Sequence, residues 1–410
     1  MQKILLFIAS LFYFNSLFAK DEIKSWQGIH ETPLSRLEQQ FADPPVEFAN
    51  HVIWGWEGKM DKKTICNDLD SIKKKGFRAI IFEAGYKLPF KYLSEEWFKA
   101  IRTGVLEAKK RGMKVWIIDE GKYPSGFAGG KFSQERPDLR MQALVIGDTI
   151  QIKRGEVMTN HKIAPEIISA VAVSTSGAPN RTVEINNGKI SFNAGLDDWK
   201  ILLVKSDFRT AVTRAVNNPN GGKDATNSLC DYLNPVAVQQ FIDWTHKQYK
   251  KYLGKELGTT VLGFRGDEPD YAHLPWTPSI VQTFKDTKGY DPTPYLASFF
   301  TASPTIQEQR VKADYWDVWS SLFATHFFKL QADWCAANGV AHITHLNKEH
   351  EMPACVKAEG DYFRALSKVQ IPGVDAIWNQ IWPSTLNDFP KLASSVAHVY
   401  GKPRAFSESF

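Results

Sequence analysis

The 410-residue sequence predicts an α/β protein. Its core is a (β/α) barrel of the TIM type, incomplete at its C-terminus and interrupted by an inserted β-rich subdomain. Three observations carry this. Residues 50–119 alternate short apolar runs with amphipathic stretches, the pattern of parallel βαβ units. Four apolar runs end in polar or acidic residues: Trp56-Glu57, Glu83, Asp119-Glu120 and Asp267-Glu268. Parallel barrels keep their chemistry at that end of the strands. From about Ala143 to Asp207 the helical period vanishes and apolar residues alternate with polar ones.

Asn50 to Trp56 (NHVIWGW) reads as the first strand. Asp61 can cap a helix to Lys75, with Ile65, Leu69 and Ile72 on one face and Gly76 past its end. Phe77 to Glu83 is the second strand. Ser94 caps the next helix, with Glu95 and Glu96 in its positive first turn, and Met113 to Asp119 is the third strand. In the insert, Ile167–Val173 and Trp199–Val204 read as strands. Val183, Ile185, Ile190 and Phe192 alternate around an Asn187-Gly188 hairpin turn. Residues 217–228 form a polar loop. Asn234-Pro235 opens a helix whose Val238, Phe241, Thr245, Tyr249 and Leu253 share a face, and TTVLGFRGDEP (259–269) follows as the fourth strand. A long helix from about Pro304 to Asn338 precedes a fifth strand, Val340–Leu346. Val374–Ile377 is a short sixth, Leu392–His398 a helix, and Arg404–Ser407 begins a seventh. No eighth is visible, so a C-terminal region of a longer protein is expected to be missing. The divisions are 1–19, 45–142 (first part of the barrel), 143–212 (insert) and 213–410 (continuation).

Residues 1–19 read as a secretory signal: Lys3, an apolar run Ile4–Phe14, and Ala19 at the cut. The run is short for a membrane span and none follows, so an exported protein without a membrane segment is expected. A net charge of +5 over 410 residues, with no long basic run, argues against nucleic acid. Cys66, Cys230, Cys335 and Cys355 match no metal spacing and leave disulfide pairing open. The 13 Trp, 13 Tyr and 26 Phe can stack on sugar rings, although core packing is their commoner use.

Hydrolysis of a glycosidic bond needs one protonated and one ionised carboxyl flanking the bond. Glu268 and Glu408 both fall at strand ends and are the candidate pair. Glu83, Asp119, Glu120, Asp267 and Asp375, also at strand ends, could hold hydroxyls or a cation, or simply cap helices. Trp54 and Trp378 could stack on sugar. His345 is placed to donate to substrate and His342 to sit in the core. HITHLNKEH lacks zinc-protease spacing, and Tyr123–Gly130 lacks the Lys-Ser/Thr of a phosphate loop, so neither zinc nor an organic cofactor is expected.

The chain resembles glycoside hydrolase family 106, α-L-rhamnosidase-like barrel enzymes of plant-polysaccharide degraders. The matching stretches are WGWEGKM near residue 54, IDEGKYPSGFAGG (118–130), NPVAVQQFIDWTHKQYKKYLG (234–254), GFRGDEP (263–269), THLNKEH (344–350), GDYFRALSKVQIPGVDAIWNQIWP (360–383) and GKPRAFSESF (401–410). The resemblance implies an inverting glycosidase with Glu268 and Glu408 catalytic, a calcium ion near the sugar, and an oligo- or polysaccharide substrate of plant origin. Arg265-Gly266 departs from the aromatic or small residues expected before Asp-Glu-Pro. A retaining glycosidase of other specificity, and an inactive or carbohydrate-binding barrel fragment, remain as alternatives.

Overall fold

The computed structural model describes residues 33–409 except 212, 215–222, 225, 272, 303, 378–379 and 382–386. The expected signal segment, Trp378 and most of the 217–228 loop lie outside the described residues.

Seven parallel strands form one sheet in chain order: β1 (His51–Trp56), β2 (Ala79–Ala84), β3 (Lys114–Ile118), β4 (Val261–Asp267), β5 (Ala341–His345), β6 (Ile371–Asp375) and β7 (Phe406–Glu408). Asp61 and Ser94 cap the first two crossover helices, Lys62–Lys74 and Glu95–Lys110, by accepting the Thr64 and Trp97 amides. The sheet curls into a half-barrel. His51–Ile53 of β1 and Phe406–Glu408 of β7 line one cavity of about 790 Å³, with Ile81, Arg265 and Ile343 between them. The Arg404 guanidinium, just before β7, lies 3.9 Å from the Phe48 ring centroid, just before β1. Among the described residues no pairing joins β7 to β1.

The strands bury both faces, as parallel sheets do. Ile80, Phe82, Val115, Ile117, Val261 and Phe264 pack on helix residues such as Ile65, Trp97, Ile101 and Tyr249. Ile81, Trp116, Ile118, Leu262, Ala341, Ile343 and Ile371 fill the interior. Each such side chain contributes about 1.5–3 kcal/mol on burial. The β3–β4 register slips between Val261 and Gly263. This irregularity puts Leu262 inside while Phe264 faces the helices, and leaves Arg265 directed into the interior cavity.

Residues 142–208 fold into antiparallel strands. Gln142–Ile152, Trp199–Phe208 and Ile167–Ser174 form the centre of a five-stranded sheet. Pro275–Trp276, from beyond β4, is one of its edges. A three-stranded sheet contains the hairpin Ile185–Asn186/Lys189–Asn193, turned at Asn187 and Gly188, both with positive φ. Trp199–Phe208 alternates between two cores. Leu202 and Val204 join Phe241, Tyr315 and Trp319, whereas Ile201 and Leu203 join Ile190 and Phe192. The insert therefore shares a core with the helices of the parallel part.

Some boundaries differ from the sequence reading. β6 is Ile371–Asp375 and β7 starts at Phe406. The single helix expected after Asn234 breaks at Thr245 (φ −112°, ψ −87°) into Pro235–Trp244 and His246–Leu253. The 306–337 helix carries a π-helical turn at Ala324–Phe328. All four cysteines are free. Among the described residues no helix is long and apolar enough to cross a membrane.

Gly263 is where β4 and β5 approach most closely. A Cβ there would lie 1.9 Å from the Ala341 carbonyl oxygen and 2.6 Å from the Trp116 ring. Gly263→Ala should therefore cost about 2–4 kcal/mol in urea denaturation. An unchanged midpoint would mean that the two strands can part freely.

Candidate active site

Four strand ends converge on one imidazole. His345, the last residue of β5, is 1% exposed. Its Nε2 lies 3.6 Å from Asp267 Oδ1 (β4), 3.8 Å from Glu268 Oε1 and 3.8 Å from Glu408 Oε2 (β7). Asp375, ending β6, completes a second grouping with Glu268 and His345. Glu268 and Glu408 are thus at most twice 3.8 Å apart at these oxygens, within reach of opposite sides of one sugar.

Arg265 orders this cluster. The guanidinium, 2% exposed, donates through Nη2 to Glu408 Oε2 and lies 3.6 Å from Asp267 Oδ1. The same nitrogen sits 3.4 Å from His345 Nδ1. An arginine only donates, so Nδ1 is the acceptor and the imidazole proton belongs on Nε2, facing the three carboxyls. Burial, reinforced by Arg265, lowers the His345 pKa and keeps the ring neutral.

The carboxyls divide by environment. Burial and the adjacent Asp267 charge push Glu268 up to about 8, and its carboxyl hydrogen-bonds to Asp375. Burial raises Asp375 to about 6. Glu408 is raised by burial, but Arg265 opposes the shift. Glu268 also has φ +37°, a left-handed conformation that costs a non-glycine residue about 1–3 kcal/mol. Glu83 is held by Lys122 Nζ at 2.9 Å, and that ammonium also lies 4.8 Å from the Tyr86 ring centroid.

Three expected substrate contacts are corrected. Asp119, fully buried, accepts the Ser125 hydroxyl at 2.6 Å, and that Oγ accepts the Asp267 amide at 2.7 Å. Glu120, also buried, accepts the amides of Gly121, Ala128 and Gly129. Both acids anchor the 121–130 loop and are shut off from the cleft by burial, although Asp119 Oδ2 accepts no hydrogen bond. Trp54 packs on Trp56 and Phe82 in the outer core. His342 is a buried neutral histidine, lowered to about 4 by desolvation.

Asn347, Asp270 and Glu359, which the sequence reading passed over, join Tyr123 and Glu349 of the motifs it singled out. Asn347 Nδ2 lies 3.1 Å from the Tyr123 hydroxyl and 3.2 Å from Asp270 Oδ2. Glu359 accepts the Asn347 amide and Glu349 accepts that of Leu346. All but Glu359 lie inside or beside GKYPSG, DEP and THLNKEH, and those motifs were the available signal.

Among the described residues three possible metal donors converge only at Asp267/His345/Glu408 and Glu268/His345/Asp375. The first already holds the Arg265 cation. The second offers two carboxyls and an imidazole, whereas calcium takes six to eight oxygens.

Glu349 gives a direct test of these environments. Burial raises its pKa from about 4.5 to about 9, so the folded state holds a proton that the unfolded chain releases. Stability should therefore fall as pH rises from about 5 to 9. Glu349→Gln should flatten that decline in thermal melts at pH 5, 7 and 9. An unchanged slope would mean that Glu349 is ionised in the fold.

A family profile described as alpha-L-rhamnosidase matches residues 159–410. A protein of Formosa agariphila named "Putative beta-glucuronidase" is 23% identical over 436 residues, covering 92% of this chain and 35% of that protein. The solved structure of a rhamnosidase from Novosphingobium sp. PP1Y superposes with a TM-score of 0.66 at 15% identity, covering 92% of this chain and 53% of that one. This last likeness is one of fold. The chain spans about a third of the first relative and about half of the second. With the profile matching well over half of its residues, the chain belongs to the alpha-L-rhamnosidase family, glycoside hydrolase family 106.

Proposed function

We propose that the chain carries the catalytic centre of an exported glycoside hydrolase that cleaves α-L-rhamnosides of plant oligo- or polysaccharides. In this reading the curled sheet is the larger part of a (β/α) barrel, with its site at the carboxyl ends of the strands. Residues 143–212 are its β-rich insert and residues 1–19 its export signal.

The carrying observation is that Glu268 and Glu408 each bring an oxygen to 3.8 Å from His345 Nε2, the first with its pKa raised to about 8 by burial and the second paired with Arg265. Glu268 supplies a proton to the departing glycosidic oxygen, as its pKa of about 8 allows at neutral pH. Glu408, paired with Arg265, takes a proton from water. The water's oxygen bonds to the anomeric carbon while the bond to the leaving oxygen breaks. The bound of twice 3.8 Å admits the roughly 6.5–9.5 Å spacing of inverting enzymes, and the resemblance favours inversion. It also admits the about 5–5.5 Å of retaining ones. No step of this reading is routed through the calcium ion that the resemblance implies.

A uronide substrate, the class in the Formosa relative's name, suits the cleft less well. Its carboxylate would enter among Asp267, Glu268, Asp375 and Glu408. The two cations at hand, Arg265 and Lys122, are already paired with Glu408 and Glu83.

Hydrolysis of p-nitrophenyl α-L-rhamnopyranoside tests the reading. Glu268→Gln and Glu408→Gln should each lower kcat about 100- to 10,000-fold with melting temperatures kept. Proton NMR should show the inverted anomer first. A retained anomer would make Glu408 a nucleophile, and full activity in either variant would remove the pair.

A further inference from the structure

Arg265 links β4 to β7, which do not pair with each other among the described residues. It leaves β4, passes beside His345 at the end of β5, and donates to Glu408 on β7, with β6 lying between. The other face of β4 has no room for it. A Cβ on Gly266 would already lie 2.8 Å from Thr344 Oγ1 and 3.2 Å from His342 Nε2. On β7, Glu408 is in register with Asp375 of β6, so the Arg265 guanidinium reaches it across the end of the intervening strand. The guanidinium is also in the half-barrel cavity, where a cationic partner for the carboxyls would otherwise have to be bound.

We propose that Arg265 is the positioning residue of this site: it clamps Glu408 of β7 against His345, fixing Glu408 as the ionised carboxylate and leaving Glu268 to carry the proton. The proposal rests on the glycosidase reading above and deepens it. Among the described residues the titratable and charged groups around Glu408 are Arg265 and Asp267 on β4, His345 on β5, Asp375 on β6, and His51 of β1 across the same cavity. Arg265 is the one permanent cation among them, so its removal leaves Glu408 facing carboxylates and neutral imidazoles.

Two readouts separate this role from a purely structural one. In protein labelled with 13C-glutamate, with the Glu408 signal identified through Glu408→Gln, Arg265→Gln should raise the Glu408 titration midpoint by about one pH unit or more. The acidic limb of kcat/KM for p-nitrophenyl α-L-rhamnopyranoside should move up with it. kcat should fall about 100-fold and KM change less. Arg265→Lys, which keeps the charge but loses the planar fork, should restore most of the titration midpoint and only part of kcat. If Arg265→Gln does not fold, Arg265→Lys carries the test: kcat equal to wild type with an unmoved acidic limb would overturn the proposal. An identical Glu408 midpoint in folded Arg265→Gln and wild type would also overturn it. If wild type hydrolyses no rhamnoside while the midpoint still shifts, the clamp stands and the rhamnosidase reading falls.

Discussion

A guanidinium that is 2% exposed inside a curled sheet must be neutralised by its surroundings. An unpaired buried charge costs several kcal/mol, and breaking a buried pair costs about 3–5 kcal/mol. That constraint ties together strands that the backbone alone holds loosely. β4 contributes Arg265 and Asp267, β5 the acceptor nitrogen of His345, and β7 the Glu408 carboxylate. No pairing joins β7 to β1 among the described residues, and this polar clamp ties β7 to β4 from within the half-barrel.

The acids at the strand ends meet three fates. Asp119 and Glu120 bind hydroxyl or amide groups and hold the 121–130 loop against β4. Glu83 and Glu408 are paired with cations that oppose the upward shift burial gives them. Glu268, Asp375 and Glu349 are buried without a permanent cation against them, and their pKa values rise to about 8, 6 and 9. A site that needs one protonated and one ionised carboxyl is built by placing the first in the third class and the second in the second class. The strained φ of Glu268 belongs to the same economy, since active sites are where such conformations persist.

Much of the parallel part was legible because its signals are local. Asp61 and Ser94 cap where their spacing predicts, and the apolar runs of β1 to β5 lie within a residue or two of the strands observed. What failed to show in the sequence depends on tertiary contact. The π-helical turn at Ala324–Phe328 leaves the helical period almost intact, and the break at Thr245 carries no glycine or proline. Asp119-Glu120 reads like any acidic strand end, and only the fold reveals that a loop folds back onto both. Trp54 looks like a sugar platform until Phe82 and Trp56 cover it. Arg265 stood out only as a departure from a motif, because the carboxylate it binds is 143 residues away.

The central claim is that the cleft around His345 holds the bond to be broken between Glu268 and Glu408. A crystal structure of the protein with a rhamnose-configured iminosugar would test it most directly. The account predicts the ring nitrogen within hydrogen-bond reach of Glu408 or of a water bound to it, with Glu268 against the position of the leaving oxygen. An inhibitor seated elsewhere, such as the groove lined by Trp316, Met352 and Tyr362, with the His345 cleft empty, would contradict it.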